Sequence, residues 1–209
     1  MTTLAAFYGS VYQQPLLLAA PALLWLGVLL FRKFPHDGLW RYGVIFTALS
    51  ILDAWLTAGT VIGVGTLSGG LAVAVPVFFV ILGDFRVYFW MHRGERGRFW
   101  LKAVAWSLVV PLVSALVMKA LPAEWLAHSR VAFLVYEVLF LLTFGAFCKL
   151  KGRLNVFSAY ALGYYALWAL ADVALLATEE ASAMAWCMRI AANLLYYAGW
   201  TPWVVLNSR

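Results

Sequence analysis

Seven apolar stretches of spanning length, separated by short polar breaks, make up most of this chain. They run roughly over 12–31, 42–65, 71–92, 99–121, 129–148, 155–178 and 183–207. A helix crossing the hydrocarbon core of a bilayer needs about 20 mostly apolar residues, and each stretch meets that length. Backbone in lipid must satisfy its own hydrogen bonds, and no strand-like alternation is present, so every stretch is expected to be helical. Of the 209 residues, 65% are hydrophobic and 11% charged. A soluble domain carries roughly 25% charged residues and has too little interior to hide so much apolar surface. The fold class expected is therefore all-α, a polytopic membrane protein of about seven transmembrane helices in a single domain over 1–209. The first apolar run follows fifteen residues without Lys or Arg, MTTLAAFYGSVYQQP, so it reads as a retained helix rather than a cleaved leader.

The breaks carry an orientation. On one side lie Arg32, Lys33, Arg41, Arg93, Arg96, Arg98, Lys102, Lys149, Lys151, Arg153 and Arg209; on the other lie Lys119 and Arg130, with the acids Glu179 and Glu180. Lys and Arg concentrate in cytoplasmic loops, so the expected topology is N-terminus outside and C-terminus cytoplasmic, in a cell inner or plasma membrane. The same placement accounts for the net charge of +6 without nucleic acid. Trp40, Trp90 and Trp100 are expected at the inner interface and Trp125 and Trp186 at the outer one. Pro21, Pro76, Pro111 and Pro202 fall within spans and are expected to kink them. The three histidines (His36, His92, His128) and two cysteines (Cys148, Cys187) are dispersed, so neither a metal or other cofactor site nor a disulfide is expected.

Ionisable residues inside the spans are the main functional signal. They are Asp53, Asp84, Arg86, Glu137, Asp172 and Arg189. A charge at mid-membrane costs about 3 kcal/mol on insertion scales, so such groups face a protein interior and have partners. Counting from the span ends places Glu137, Asp172 and Arg189 at one depth near the outer side, as a cluster. Asp53 and Asp84 fall nearer mid-membrane and are expected to approach one another. Arg86 lies four residues from Trp90 and can snorkel to the cytoplasmic interface. Four acids against two guanidiniums leave two carboxylates that must be protonated, hydrogen-bonded to hydroxyls or neutralised by a cation.

Helical spacing groups these residues with polar and aromatic neighbours. Ser50, Asp53, Thr57 and Thr60 form one stripe. Arg189, Asn193, Tyr196, Tyr197 and Trp200 form another, and Tyr164, Tyr165, Trp168 and Asp172 a third. Asp84 and Tyr88 are one turn apart. The candidate ligand, ion or proton-relay residues are thus Asp53, Asp84, Tyr88, Glu137, Tyr165, Trp168, Asp172, Arg189, Asn193, Tyr196 and Tyr197. A polar, aromatic-lined interior of this kind suits a small transporter or channel handling protons, cations or a polar solute. The alternative is a seven-helix receptor holding a lipid-like ligand or chromophore. No nucleophile–base pairing lies within the spans, which argues against an enzyme. Short loops and surface aromatics permit association with further copies of the chain or with a larger complex.

The segments LSILDAWLTAGT and LWALADVALLAT each place an acid in a similar setting. With basic clusters after the first and fifth spans, they suggest two three-helix units joined by the fourth span. Such a three-plus-one-plus-three, N-outside order resembles by topology the sugar-efflux and PQ-loop transporters and the microbial rhodopsins. The seventh span holds no lysine for a retinal Schiff base, and no Pro-Gln dipeptide ends the first or fifth span. The resemblance therefore implies an architecture and no particular site residues.

Overall fold

The computed structural model describes residues 19–31, 37–58, 70–95, 97–126 and 128–208. Those residues form helices joined by turns, with no strand among them. In chain order the helices are α1 (Ala20–Phe31), α2 (Asp37–Ala58), α3 (Leu71–His92), α4 (Phe99–Ala120), the single turn α5 (Ala123–Leu126), α6 (Ser129–Leu150), α7 (Val156–Ala177), α8 (Ala183–Leu194) and α9 (Trp200–Asn207), with a π-helical turn over Leu195–Gly199 between the last two. Five of these, α2, α3, α4, α6 and α7, contain apolar segments of 19–22 residues, long enough to cross a membrane. Helix α1 supplies twelve described residues of the first expected span, and residues 12–18 lie outside the described ones.

Helix α2 begins at Asp37, five residues before the apolar stretch does. An acid in the first turn complements the positive end of the helix dipole, so the polar segment DGLWR is helical rather than loop. The stripe of Ser50 and Asp53 is buried, while the side chains of Thr57 and Thr60 lie outside the described residues. Helix α6 ends two residues later than expected, at Leu150. Its last carbonyls are closed by Gly152 donating to Lys149 O and Arg153 to Cys148 O, with Gly152 at a φ of 60° that suits a residue without Cβ. Helix α7 starts on a capping box: the Asn155 side chain accepts from Phe157 N and Ser158 N, and Asn155 N donates to the Ser158 hydroxyl.

The four prolines within the expected spans sit in different settings. Pro21 occupies the first turn of α1, where its missing N–H leaves no helical bond unmade, so it is a helix-start residue rather than a kink. Helices α3 and α4 continue through Pro76 and Pro111. In the last helical run the irregularity is the π turn, which ends three residues before Pro202.

Two compact units are present. One comprises the described residues up to Phe79 together with Ile190–Arg209, and the other Val80–Arg189. This division joins the first two helices to the last and does not follow the three-plus-three pattern of the sequence. In the first unit α1, α2, the π turn and α9 pack together. Gly43 of α2 is close-packed there, since a Cβ would stand 3.2 Å from both Leu29 Cδ1 and Val205 Cγ2. In the second unit α6 packs on both α4 and α7, and the C-terminal half of α3 is almost wholly buried.

Candidate functional site

The second unit holds three polar centres set in an aromatic interior. At its centre is Asp84, fully buried on α3. Its two carboxylate oxygens accept hydrogen bonds from different helices: Tyr136 Oη on α6 donates to Oδ2 and Tyr165 Oη on α7 donates to Oδ1, each at 2.5 Å. Tyr165 is itself fixed by stacking on Phe140 with centroids 3.7 Å apart. Arg86 does not snorkel. It is 2% exposed, and its guanidinium lies within electrostatic reach of Asp84, Tyr160 and Tyr164. Alternate residues of a helix face different sides, but both sides of α3 at this level are covered by protein, so Arg86 lies in the interior.

The second centre is the cluster expected from Glu137, Asp172 and Arg189. The structure brings Glu137, Asp172 and Arg189 together: Arg189 Nη1 donates to Glu137 Oε1 at 2.9 Å and to Asp172 Oδ2 at 2.7 Å. Arg130, read from sequence as a loop charge, joins them. It reaches Asp172 Oδ1 at 3.4 Å and Glu180 Oε1 at 3.1 Å and lies over the Trp186 ring at 4.6 Å. Trp186 donates from Nε1 to Glu180 O and is buried, so it is a cover for this cluster rather than a lipid-facing belt residue. The turn before it is tight, with Glu179 and Glu180 at φ of 48° and 63°. Trp168 flanks the cluster with its ring 5.7 Å from the Arg189 guanidinium. With Arg130 counted, the acids of this cluster have two guanidiniums among them. Asp53 and Asp84 are the two acids held by hydroxyls.

The third centre lies at the opposite end of the unit. Glu95, in the turn after α3, accepts Lys102 Nζ at 2.7 Å and Arg153 Nη2 at 2.9 Å, and its Oε1 is 2.9 Å from His92 Nδ1. In the sequence Glu95 was one acid in a basic loop. In space it gathers a cation from each of two other segments. The hydrogen bond from Lys102 is the main reason its pKa falls from 4.5 to about 2, with the His92 contact adding to it against partial burial. A folded-state pKa below the unfolded one stabilises the protein above about pH 4.5, and that contribution disappears as the pH falls toward 2. Glu95→Gln is therefore expected to lower the unfolding midpoint at neutral pH, with the gap to wild type closing between about pH 4.5 and pH 2. A gap that stays constant across that window would show that the carboxylate charge contributes nothing. Trp90, buried beneath Arg93 at 3.2 Å, belongs to this end and is likewise no lipid-facing belt residue. Trp100 and Trp125 are exposed.

Tyr88 lies between the first and third centres, among Phe144, Phe147, Trp106 and Phe140 at centroid distances of 5.3, 5.3, 6.0 and 6.3 Å. The remaining sequence candidates belong to the first unit. Asp53 accepts Tyr196 Oη at 3.3 Å, and Trp200 Nε1 donates to Tyr42 Oη at 2.7 Å. Asn193 is buried and Tyr197 half-buried, its ring 4.8 Å from that of Tyr196. Thr47 and Thr201, which sequence reasoning passed over, share a hydrogen bond of 2.7 Å. Cys148 and Cys187 are both free thiols. No protein family, curated protein or solved structure matches the chain.

Proposed function

We propose that this chain is a small multi-pass membrane transporter or channel that moves protons, or couples a cation to protons, through its buried carboxylates. All seven stretches cross the membrane as one domain, with the N-terminus outside and the C-terminus in the cytoplasm. The observation that carries the reading is the setting of Asp84, fully buried with a tyrosine hydroxyl on each oxygen. A hydroxyl donates to a carboxylate and accepts from a carboxylic acid, so the same two partners serve both protonation states. Such a group exchanges a proton without leaving a buried polar atom unsatisfied. A purely structural ion pair does not behave that way, because it is strongly destabilised when one partner loses its charge.

Purified protein in liposomes, under an imposed membrane potential, is expected to acidify or alkalinise the lumen faster than empty vesicles do. Asp84→Asn keeps the shape and the hydrogen bonds but cannot titrate. It is expected to reduce the flux about a hundredfold, the scale of losing one positioned acid–base group. Wild-type flux equal to that of empty vesicles, or an Asp84→Asn variant that conducts normally, defeats the proposal. Orientation has its own test in a variant lacking both native cysteines. A membrane-impermeant maleimide is expected to label Ala181→Cys in intact cells and Lys151→Cys only after permeabilisation. The reverse pattern would invert the topology.

A further inference from the structure

The three centres of the second unit line up. Asp84, Tyr88 and His92 stand at steps of four on α3, one face of one helix. Eight residues of helix separate Asp84 from His92, about 12 Å. On α7, Tyr165 and Asp172 are seven residues apart, about 10 Å. Arg153, just before α7, contacts Glu95 beside His92, so α7 runs away from that end. Tyr165 is bonded to Asp84, and the two helices therefore carry a polar line over about 22 Å of a ~30 Å hydrocarbon core. Glu95 extends it at one end and Glu180, through Arg130, at the other.

Buried polar atoms without partners fall along this line. Among the described residues, Tyr88 Oη, His92 Nε2 and Glu137 Oε2 are buried with no hydrogen bond. Thr143 stands beside Tyr88, and its hydroxyl, which donates to the carbonyls of Leu139 and Phe140, keeps lone pairs that can accept from the phenol or from a bridging water. An unmet polar group in the interior is costly, and an ordered water is the usual partner for such an atom. Tyr88 and His92 also share one neighbour, Phe147, at 5.3 and 5.1 Å.

We propose that His92 is the cytoplasmic-end proton shuttle of a water-bridged relay running His92–Tyr88–Asp84–Tyr165 and on to the Glu137–Asp172–Arg189 cluster. This rests on the proton-moving reading given above. The groups facing His92 are Glu95, with Lys102 and Arg153 behind it, and the Phe147 ring. Nδ1 is tied to Glu95, and Nε2 is the open end. A proton accepted at one ring nitrogen is matched by one released from the other, so the ring ends neutral in the opposite tautomer. Glu95 exchanges protons with water at the aqueous side, and Tyr88 passes them inward through a bridging water.

The test uses full-length protein in liposomes, with wild type, Asp84→Asn, His92→Gln and His92→Ala. Both His92 variants are expected to conduct about a hundredfold less than wild type. Added imidazole is expected to restore flux to His92→Ala, after subtraction of empty vesicles given the same imidazole, and not to Asp84→Asn. His92 variants that conduct like wild type overturn the relay through His92 and leave the Asp84 reading standing. A loss in His92→Ala that imidazole does not restore makes His92 structural and also overturns it. Wild type without flux overturns both.

Discussion

Arg189→Met is expected to destabilise the protein by about 3–5 kcal/mol, the cost of breaking a buried ion pair by removing one partner. The reason is the position of Arg189 between two buried acids, 2.9 Å from Glu137 and 2.7 Å from Asp172. Methionine fills similar volume but leaves Asp172 with Arg130 alone, at 3.4 Å, and Glu137 facing that acid without the guanidinium that bridged them. Adding Glu137→Gln to Arg189→Met removes one of the two facing acids and is expected to recover a substantial part of the loss. Unfolding in mixed micelles of increasing denaturing detergent measures both variants. If Arg189→Met is as stable as wild type, the cluster contributes no net stability. If Glu137→Gln deepens the loss instead, the destabilisation does not come from facing acids.

The second large effect is expected from the tyrosines on Asp84. Tyr136→Phe and Tyr165→Phe each remove one donor from a fully buried carboxyl, at a cost of about 1–3 kcal/mol apiece. The double variant is expected to lose more than the sum. After the first change one oxygen still has a donor, whereas after the second the buried group has neither. The pair sits on two different helices, so the same cycle reports how firmly α6 and α7 are tied to α3. Strict additivity would mean that the two hydroxyls act independently.

The long apolar helices were legible because their ends are marked chemically. A glycine pair on one side and a Gly- and Arg-rich break on the other delimit 71–92, and the structure places that helix over the same residues. The Glu137–Asp172–Arg189 cluster was also legible. A short turn, TEEAS, fixes the depth of Asp172 and Arg189 relative to each other, and depth is what sequence gives directly. Rotation about the helix axis is not given in the same way. Helices that are apolar on all sides lack the stripe that would set their facing, so Tyr136, next to Glu137 on α6, carried no sign that its hydroxyl meets Asp84. Arg130 was missed for another reason. Its backbone is at a helix end, and only the length of its side chain takes the guanidinium inward to Asp172. Glu95 was hidden by its neighbours in HRGERGR, which read as an orientation signal. The cations it gathers come from residues 7 and 58 positions away. The start of α2 at Asp37 escaped because hydropathy registers apolar content and overlooks a polar first turn.

The π turn at Leu195–Gly199 also bears on how this sequence tolerates change. A turn of that kind accommodates one residue more than an α-helical turn, so the side chains beyond it are advanced by about 100° around the axis. Pro202 has no N–H to give to the carbonyl of Ala198, so the ladder is already interrupted where the turn is wide. Removing one residue here would let the helix close into regular α geometry and swing Trp200 and Thr201 away from Tyr42 and Thr47. The register of the carboxy-terminal segment is thus set by a one-residue surplus in the backbone. In this stretch a deletion would do more harm than almost any substitution.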